Sequence, residues 1–235
     1  MTIGENVEHV RETMRLACQR SGRAESDVTL IAVTKFVDTA RIFEAVKAGV
    51  TEIGENRAQE FTEKLNFYKQ NHLRAHFIGQ LQTNKVKYIC GKADLIQSVD
   101  REPLLDAIHA YAAKNGIVQD ILIEVNIGRE PQKGGVTPEA LPALIEKIAA
   151  LDSVRLRGLM CVPPAIEKET VRPYFKEMRT WFERLKSAYP DLPIDTLSMG
   201  MSHDFDTAIE EGATTVRVGT AIFGPRILTG GTQNG

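Results

Sequence analysis

The feature that most constrains this chain is an alternation of short β-rich runs with longer helix-patterned segments, repeated eight times along 235 residues. The runs cover residues 28–34, 51–54, 75–78, 95–99, 121–127, 154–161, 196–199 and 215–218. Helical spacing of apolar residues marks 39–48, 57–69, 84–89, 103–114, 138–150, 169–188 and 205–211 between them. Strands separated by helix-length crossovers run parallel, and parallel strands need cover on both faces. A doubly wound open sheet satisfies the alternation, but eight units in a chain near the usual size of about 250 residues favour closure into a barrel. The expected fold is therefore α/β, a single (β/α)8 TIM-type barrel. An extra N-terminal helix precedes it, because Ile3, Val7, Val10, Met14 and Ala17 recur on one helical face and Gly22 follows. The barrel domain is expected to span 1–228, with 229–235 (TGGTQNG) a flexible tail.

Composition narrows the function classes. Lys plus Arg (29) nearly balance Asp plus Glu (31), which removes the surplus positive charge that a nucleic-acid binder uses. Cys18, Cys90 and Cys161 form no CxxC pair and are odd in number, so neither a disulfide framework nor a zinc ribbon is expected. No basic-then-apolar leader or long apolar run is present, and a soluble cytoplasmic protein is expected, with no membrane partner. The five histidines show no ligand spacing, so no metal site is expected.

In such barrels the working groups sit at the C-terminal ends of the strands. Lys35 ends the first run, where its amine either attacks an aldehyde to make an imine or simply reaches solvent. The eighth run opens into Gly219-Thr220, placed to hold a phosphate between backbone N–H groups and a hydroxyl. The seventh ends in Ser198-Met-Gly-Met201-Ser202 and could share that phosphate, or Ser202 could cap the next helix. Strand alternation puts Arg217 on the face of Thr215 and Gly219, where it meets either a ligand ring nitrogen or an interior carboxylate such as Glu124. Asn56 stands at the second strand end, facing a phenolic oxygen or capping the following helix. The glycine-containing stretch 128–135 lacks the register of a P-loop and reads as a mobile loop. Phe175, Met178, Trp181, Phe182 and Leu185 read as one core face of a helix.

The local sequences then carry a resemblance. Ala32-Val-Thr-Lys35, Gly54-Glu-Asn-Arg57, His76-Phe-Ile-Gly79 with Leu81-Gln-Thr-Asn-Lys85, and Glu124-Val-Asn-Ile-Gly128 with Lys133 occur in order. Gly158-Leu-Met160, Ser198-Met-Gly-Met-Ser202 with Asp204, and Arg217-Val-Gly-Thr-Ala-Ile-Phe-Gly224 with Arg226 follow. Together they resemble the pyridoxal phosphate homeostasis proteins. The resemblance implies a barrel similar to the alanine racemase N-terminal domain, with pyridoxal 5'-phosphate (PLP) as an internal aldimine on Lys35. Ser202, Gly219 and Thr220 would hold its phosphate with backbone help from Met201; Arg217 would face the pyridine nitrogen, and Asn56 would stand beside the ring.

Racemases of this barrel type carry a second domain with an opposing tyrosine, whereas this chain stops after its eighth unit. A PLP carrier or regulator of the vitamin B6 and amino-acid or keto-acid pools is therefore expected over an enzyme. It would be a monomer with PLP-dependent apoenzymes as candidate recipients. A PLP-dependent, racemase-like amino-acid enzyme is the alternative. A barrel enzyme forming an imine with a phosphorylated metabolite, without PLP, is the third reading.

Overall fold

The computed structural model describes residues 1–225, so Arg226, the domain limit expected at 228 and the expected tail lie outside the described residues. Eight parallel strands close on themselves in chain order: β1 (Thr29–Val33), β2 (Glu52–Glu55), β3 (Arg74–Phe77), β4 (Leu95–Val99), β5 (Gln119–Val125), β6 (Val154–Cys161), β7 (Thr196–Ser198) and β8 (Thr215–Val218). Closure is made by β8 pairing with β1, Thr29 opposite Thr215 through Ala32 opposite Val218. The helices are α1 (Ile3–Arg20), α2 (Thr39–Lys47), α3 (Ala58–Gln70), α4 (Val86–Ile89), α5 (Glu102–Lys114), α6 (Leu141–Ala149), α7 (Lys168–Ala188), α8 (Phe205–Glu210) and α9 (Thr220–Phe223). The closed barrel, and not the open sheet that the alternation also allows, is the fold, and the N-terminal helix precedes it as expected.

Helix α1 starts at a capping box in which the Thr2 hydroxyl accepts the Glu5 N–H and the Glu5 carboxylate accepts the Thr2 N–H. Its buried face, Ile3, Val7, Val10, Met14 and Ala17, packs against α2, α8 and α9. The helix thus covers the outside of the β8–β1 seam, and Asn6 Nδ2 donates to the Ile222 carbonyl at 2.8 Å.

The apolar core has two compartments. The larger lies between the strands and the helical shell and takes Val216 and Val218 from β8 and Phe175, Met178, Phe182 and Leu185 from α7. Trp181, on the same helix, is only partly buried against it. The smaller is a layer of Leu95, Leu122 and Met160 contributed by three neighbouring strands. Arg217, Ser198, Gln97 and His76 occupy the alternate strand faces as a buried polar set. Close approach shapes the wall: Gly158 has φ +147°, and a Cβ there would stand 1.9 Å from the Thr196 carbonyl oxygen. The register of β5 on β6 slips beside it, Ile121 facing Leu156 and Leu122 facing Gly158.

Boundaries differ from the sequence expectation where polar side chains enter regular structure. Strand β5 begins two residues early because the Gln119 side chain accepts the Gly91 N–H and donates to the Ala93 carbonyl. Helix α6 begins at Leu141, residues 138–140 forming a turn. The stretch 128–135 is tied down: Asn126 binds the backbone of Glu130 through both ends of its amide, and Lys133 Nζ donates to the Pro163 carbonyl.

Candidate functional site

Strand β1 delivers Lys35 two residues beyond its end, at the rim of the barrel. The turn there is bound tightly. The Thr34 N–H donates to the Gly54 carbonyl at 3.0 Å, and the Val37 N–H returns to the Thr34 carbonyl at 3.0 Å. Phe36 takes the left-handed conformation, φ 62°, uncommon for a bulky residue, and its N–H donates to Glu60 Oε2 at 2.8 Å. Its half-exposed ring carries the Arg57 guanidinium at 4.4 Å from the ring centre.

Behind this turn lies a buried charge cluster. Glu55 is fully buried, and its Oε1 accepts from the Thr34 hydroxyl at 2.7 Å, Lys64 Nζ at 2.8 Å and the Tyr68 hydroxyl at 2.9 Å. Lys64 Nζ also donates to the Thr34 carbonyl at 2.9 Å, so the residue before Lys35 is held through both its side chain and its backbone. Burial and the neighbouring Glu55 carboxylate push the Tyr68 phenol far above its ordinary range. It is therefore a fixed donor.

The opposing wall comes from the ends of β7 and β8. Gly200, φ 92°, packs where a Cβ would meet Ala208 Cβ at 2.6 Å, and the Met201 N–H donates to Asp204 Oδ1 at 2.6 Å. These two features fold the loop so that Ser202 Oγ accepts the Gly219 N–H at 3.2 Å and the Ala221 N–H at 3.3 Å. Two backbone donors thus converge on one hydroxyl, whose own proton stays available to donate. Ser202 does not cap α8, which begins after Asp204. Gly219 packs closely on the paired strand, where a Cβ would sit 3.3 Å from Val33 Cβ, a tight contact.

Between the walls is a cavity of about 350 Å³ lined by Lys35, Met201, Ser202, Arg217, Gly219 and Thr220, six of the seven residues expected to hold a cofactor. Asn56, the seventh, lines the neighbouring cavity of about 700 Å³ with Arg57 and Gln80, and its Oδ1 is buried without a partner. It does not cap α3, whose N-cap is Arg57. The seven therefore lie on four consecutive strand ends of the closed sheet, β7, β8, β1 and β2.

Arg217 is 4% exposed. It donates from Nη1 to Ser198 Oγ at 2.7 Å and from Nη2 to the Cys161 carbonyl at 2.8 Å, so the interior partner expected in Glu124 is replaced by neutral oxygens. Burial pulls its pKa down, opposed by the nearby acids.

Known proteins can be set beside this geometry. The family model for the alanine racemase N-terminal domain matches residues 6–226. A pyridoxal phosphate homeostasis protein of Aquifex aeolicus is 49% identical over 227 residues, covering 96% of this chain and 99% of that one. This chain belongs to the pyridoxal phosphate homeostasis protein family. A solved member, PipY of Synechococcus elongatus with PLP bound, superposes with a TM-score of 0.78 at 35% identity, over 90% of this chain and 99% of that one. The alanine racemase of Clostridium difficile shares the barrel at 16% identity and TM-score 0.69, and this chain matches 60% of its length. That likeness is one of fold.

In this member of the family, further groups surround the cavity that sequence reasoning did not single out: Phe36, Val37, Arg41, His203 and Phe223 line it. Arg41 Nη2 donates to the Phe223 carbonyl, tying α2 to the last turn of α9. Glu124, at the end of β5, is pushed up to about 7 by burial and by the like charge of Asp100, against the pull of Arg217. The three cysteines are buried, and burial raises Cys90 to about 11 and Cys161 to about 12, which makes them inert core thiols. Among the described residues, no group of His, Cys, Asp and Glu could hold a metal ion, and no helix is long and apolar enough to cross a membrane.

Proposed function

We propose that this chain binds PLP at the β7–β8–β1–β2 rim and serves in homeostasis of the cellular PLP pool. The observation that carries the reading is the joint placement of Lys35 and the Ser202–Gly219 donor set on the walls of one cavity. The residues fit the group. The Ser202 hydroxyl, fixed by two backbone N–H groups with its own proton left to donate, and the Thr220 hydroxyl suit a phosphate, the Asn56 amide carries an orphaned atom beside the rim, and Lys35 supplies a primary amine. When bound, PLP supplies an aldehyde that takes up a primary amine and a ring that can withdraw electrons. Lys35 would supply that amine, Ser202, Gly219 and Thr220 with the Met201 backbone would hold the phosphate, and Arg217 and Asn56 would stand beside the ring.

This arrangement favours storage over turnover. A guanidinium at the ring nitrogen opposes its protonation, so the ring is a poor electron sink. Release to PLP-dependent apoenzymes, with the chain acting as a monomer in the cytoplasm, completes the reading. The closed sheet leaves no strand edge for a second copy to extend.

The test is direct. Protein incubated with PLP and gel-filtered should be yellow, and borohydride reduction followed by peptide mapping should place the pyridoxyl mass on the peptide containing Lys35. A protein that takes up no PLP, or fixes it only elsewhere, overturns the reading. A racemase-like activity, for which the shared barrel speaks, predicts exchange of the α-hydrogen of an amino acid for deuterium. We expect none across a panel.

A further inference from the structure

A continuous polar chain crosses the barrel interior from the rim cavity to the opposite end. It begins at Arg217 Nη1, which donates to Ser198 Oγ at 2.7 Å. Ser198 Oγ is 2.7 Å from Gln97 Oε1, Gln97 Nε2 is 3.1 Å from His76 Nδ1, and His76 Nε2 is 2.8 Å from Glu52 Oε2. Glu52 Oε1 accepts from Arg74 Nη1 at 3.0 Å. Two adjacent strand pairs from separate parts of the barrel contribute, β7 with β8 and β3 with β4, and β2 anchors the end.

The direction of each bond follows from the placement of the Gln97 amide, Oε1 toward Ser198 and Nε2 toward His76. A guanidinium has no acceptor, so Ser198 must accept from Arg217, and its single proton goes to the Gln97 carbonyl oxygen. The NH2 end of the amide faces His76 Nδ1. The imidazole accepts there and carries its proton on Nε2, pointing at the Glu52 carboxylate. Gln97, Ser198 and Arg217 are all buried, so a broken link leaves polar groups that water does not reach. In this orientation Gln97 accepts from Ser198 and donates to His76, so both ends of its amide are used.

We propose that Gln97 is a positioning residue for Arg217. It orients the Ser198 hydroxyl, which holds the guanidinium, and His76 with Glu52 holds the far end of the Gln97 amide. The inference rests on the reading that Arg217 faces the ring of bound PLP, and it extends control of that contact to residues at the far end of the barrel. The state of the ring nitrogen is thereby set by a side chain that does not line the cofactor cavity.

The experiment has a cofactor-free arm and a loaded arm. In protein without PLP, 15N–1H spectra should show exchange-protected guanidinium signals, assigned to Arg217 by their loss in Arg217→Lys. Gln97→Met keeps the side-chain length and removes both polar ends; it should lose the protection. Gln97→Glu still accepts from Ser198 and should retain it. Ser198→Ala, a smaller change, should lose it too and serves if the methionine variant does not fold. In protein loaded with PLP labelled with 15N in the ring, Gln97→Met should shift the ring resonance in the same direction as Arg217→Lys.

Protected guanidinium signals that persist in both Gln97→Met and Ser198→Ala overturn the inference. A ring resonance that moves in Arg217→Lys but not in Gln97→Met also overturns it, and leaves the functional reading intact. A resonance that moves in neither removes the ring contact itself and both conclusions with it.

Discussion

Replacing Lys64 with methionine tests the cluster behind the Lys35 turn. Lys64 is 11% exposed in its side chain and is the cation against a Glu55 carboxylate that has no exposure. Removing the cation strands a buried charge that retains only the Thr34 and Tyr68 hydroxyls on Oε1. Breaking one side of such a pair typically costs about 3–5 kcal/mol. A domain of this size loses roughly 2–4 °C in Tm per kcal/mol, so Lys64→Met should melt about 6–20 °C below wild type. The double variant Lys64→Met with Glu55→Gln removes the stranded charge and keeps an acceptor for both hydroxyls, so it should recover at least half of the loss. Thermal unfolding of PLP-free protein followed by circular dichroism reads both. In the double variant the Thr34 carbonyl still lacks its Lys64 donor, so uptake of PLP should stay slower than wild type although stability returns. A single variant within about 1 kcal/mol of wild type, or a double variant no more stable than the single, would refute the reasoning.

Three further outcomes are expected. Glu124 is raised from 4.5 to about 7 in the folded chain, so its contribution is fullest below 4.5 and is lost as pH rises through 7. Glu124→Gln should therefore stabilise PLP-free protein at pH 8 by up to about 3 kcal/mol and give no gain at pH 4, measured by urea unfolding at both. Ser202→Ala removes the hydroxyl on which two N–H groups converge and should weaken PLP binding about tenfold in a fluorescence titration; an unchanged Kd would remove Ser202 from the phosphate site. Gly158→Ala forces a Cβ against the Thr196 carbonyl at a positive φ, costing more than about 3 kcal/mol, and a Tm equal to wild type would show that the β6–β7 approach is not tight.

The barrel was legible because β-branched runs and helical spacing alternate without interruption, and the rim residues were legible because strand ends are where such folds do chemistry. Lys35 stood out as a charge closing an apolar run, and Arg217 as a charge that strand alternation assigns to one face. What was illegible was pairing across the interior. Gln97 and Ser198 are 101 positions apart, and in a strand buried on both sides a glutamine gives no sign of which face it occupies. His76 shows no ligand spacing in the sequence, and its place between Gln97 and Glu52 follows only from barrel closure. The Glu55 cluster was missed for a related reason. Lys64 sits on a helix surface by spacing, and only the packing of α3 over the β1 turn turns it inward. Ser202 was ambiguous because a serine before a helix suits a cap, and the decisive fact, two N–H groups from the other strand end, lies 17 and 19 residues away.

The seam between β8 and β1 joins the first strand of the barrel to the eighth, so Lys35 is made well before Gly219 and Thr220. A growing chain therefore presents Lys35 long before Gly219 and Thr220 exist to complete the cavity wall. On the proposed reading, loading is coupled to closure of the barrel: a copy without β8 lacks half of the cavity wall, so uptake of PLP should report that β8 has docked on β1.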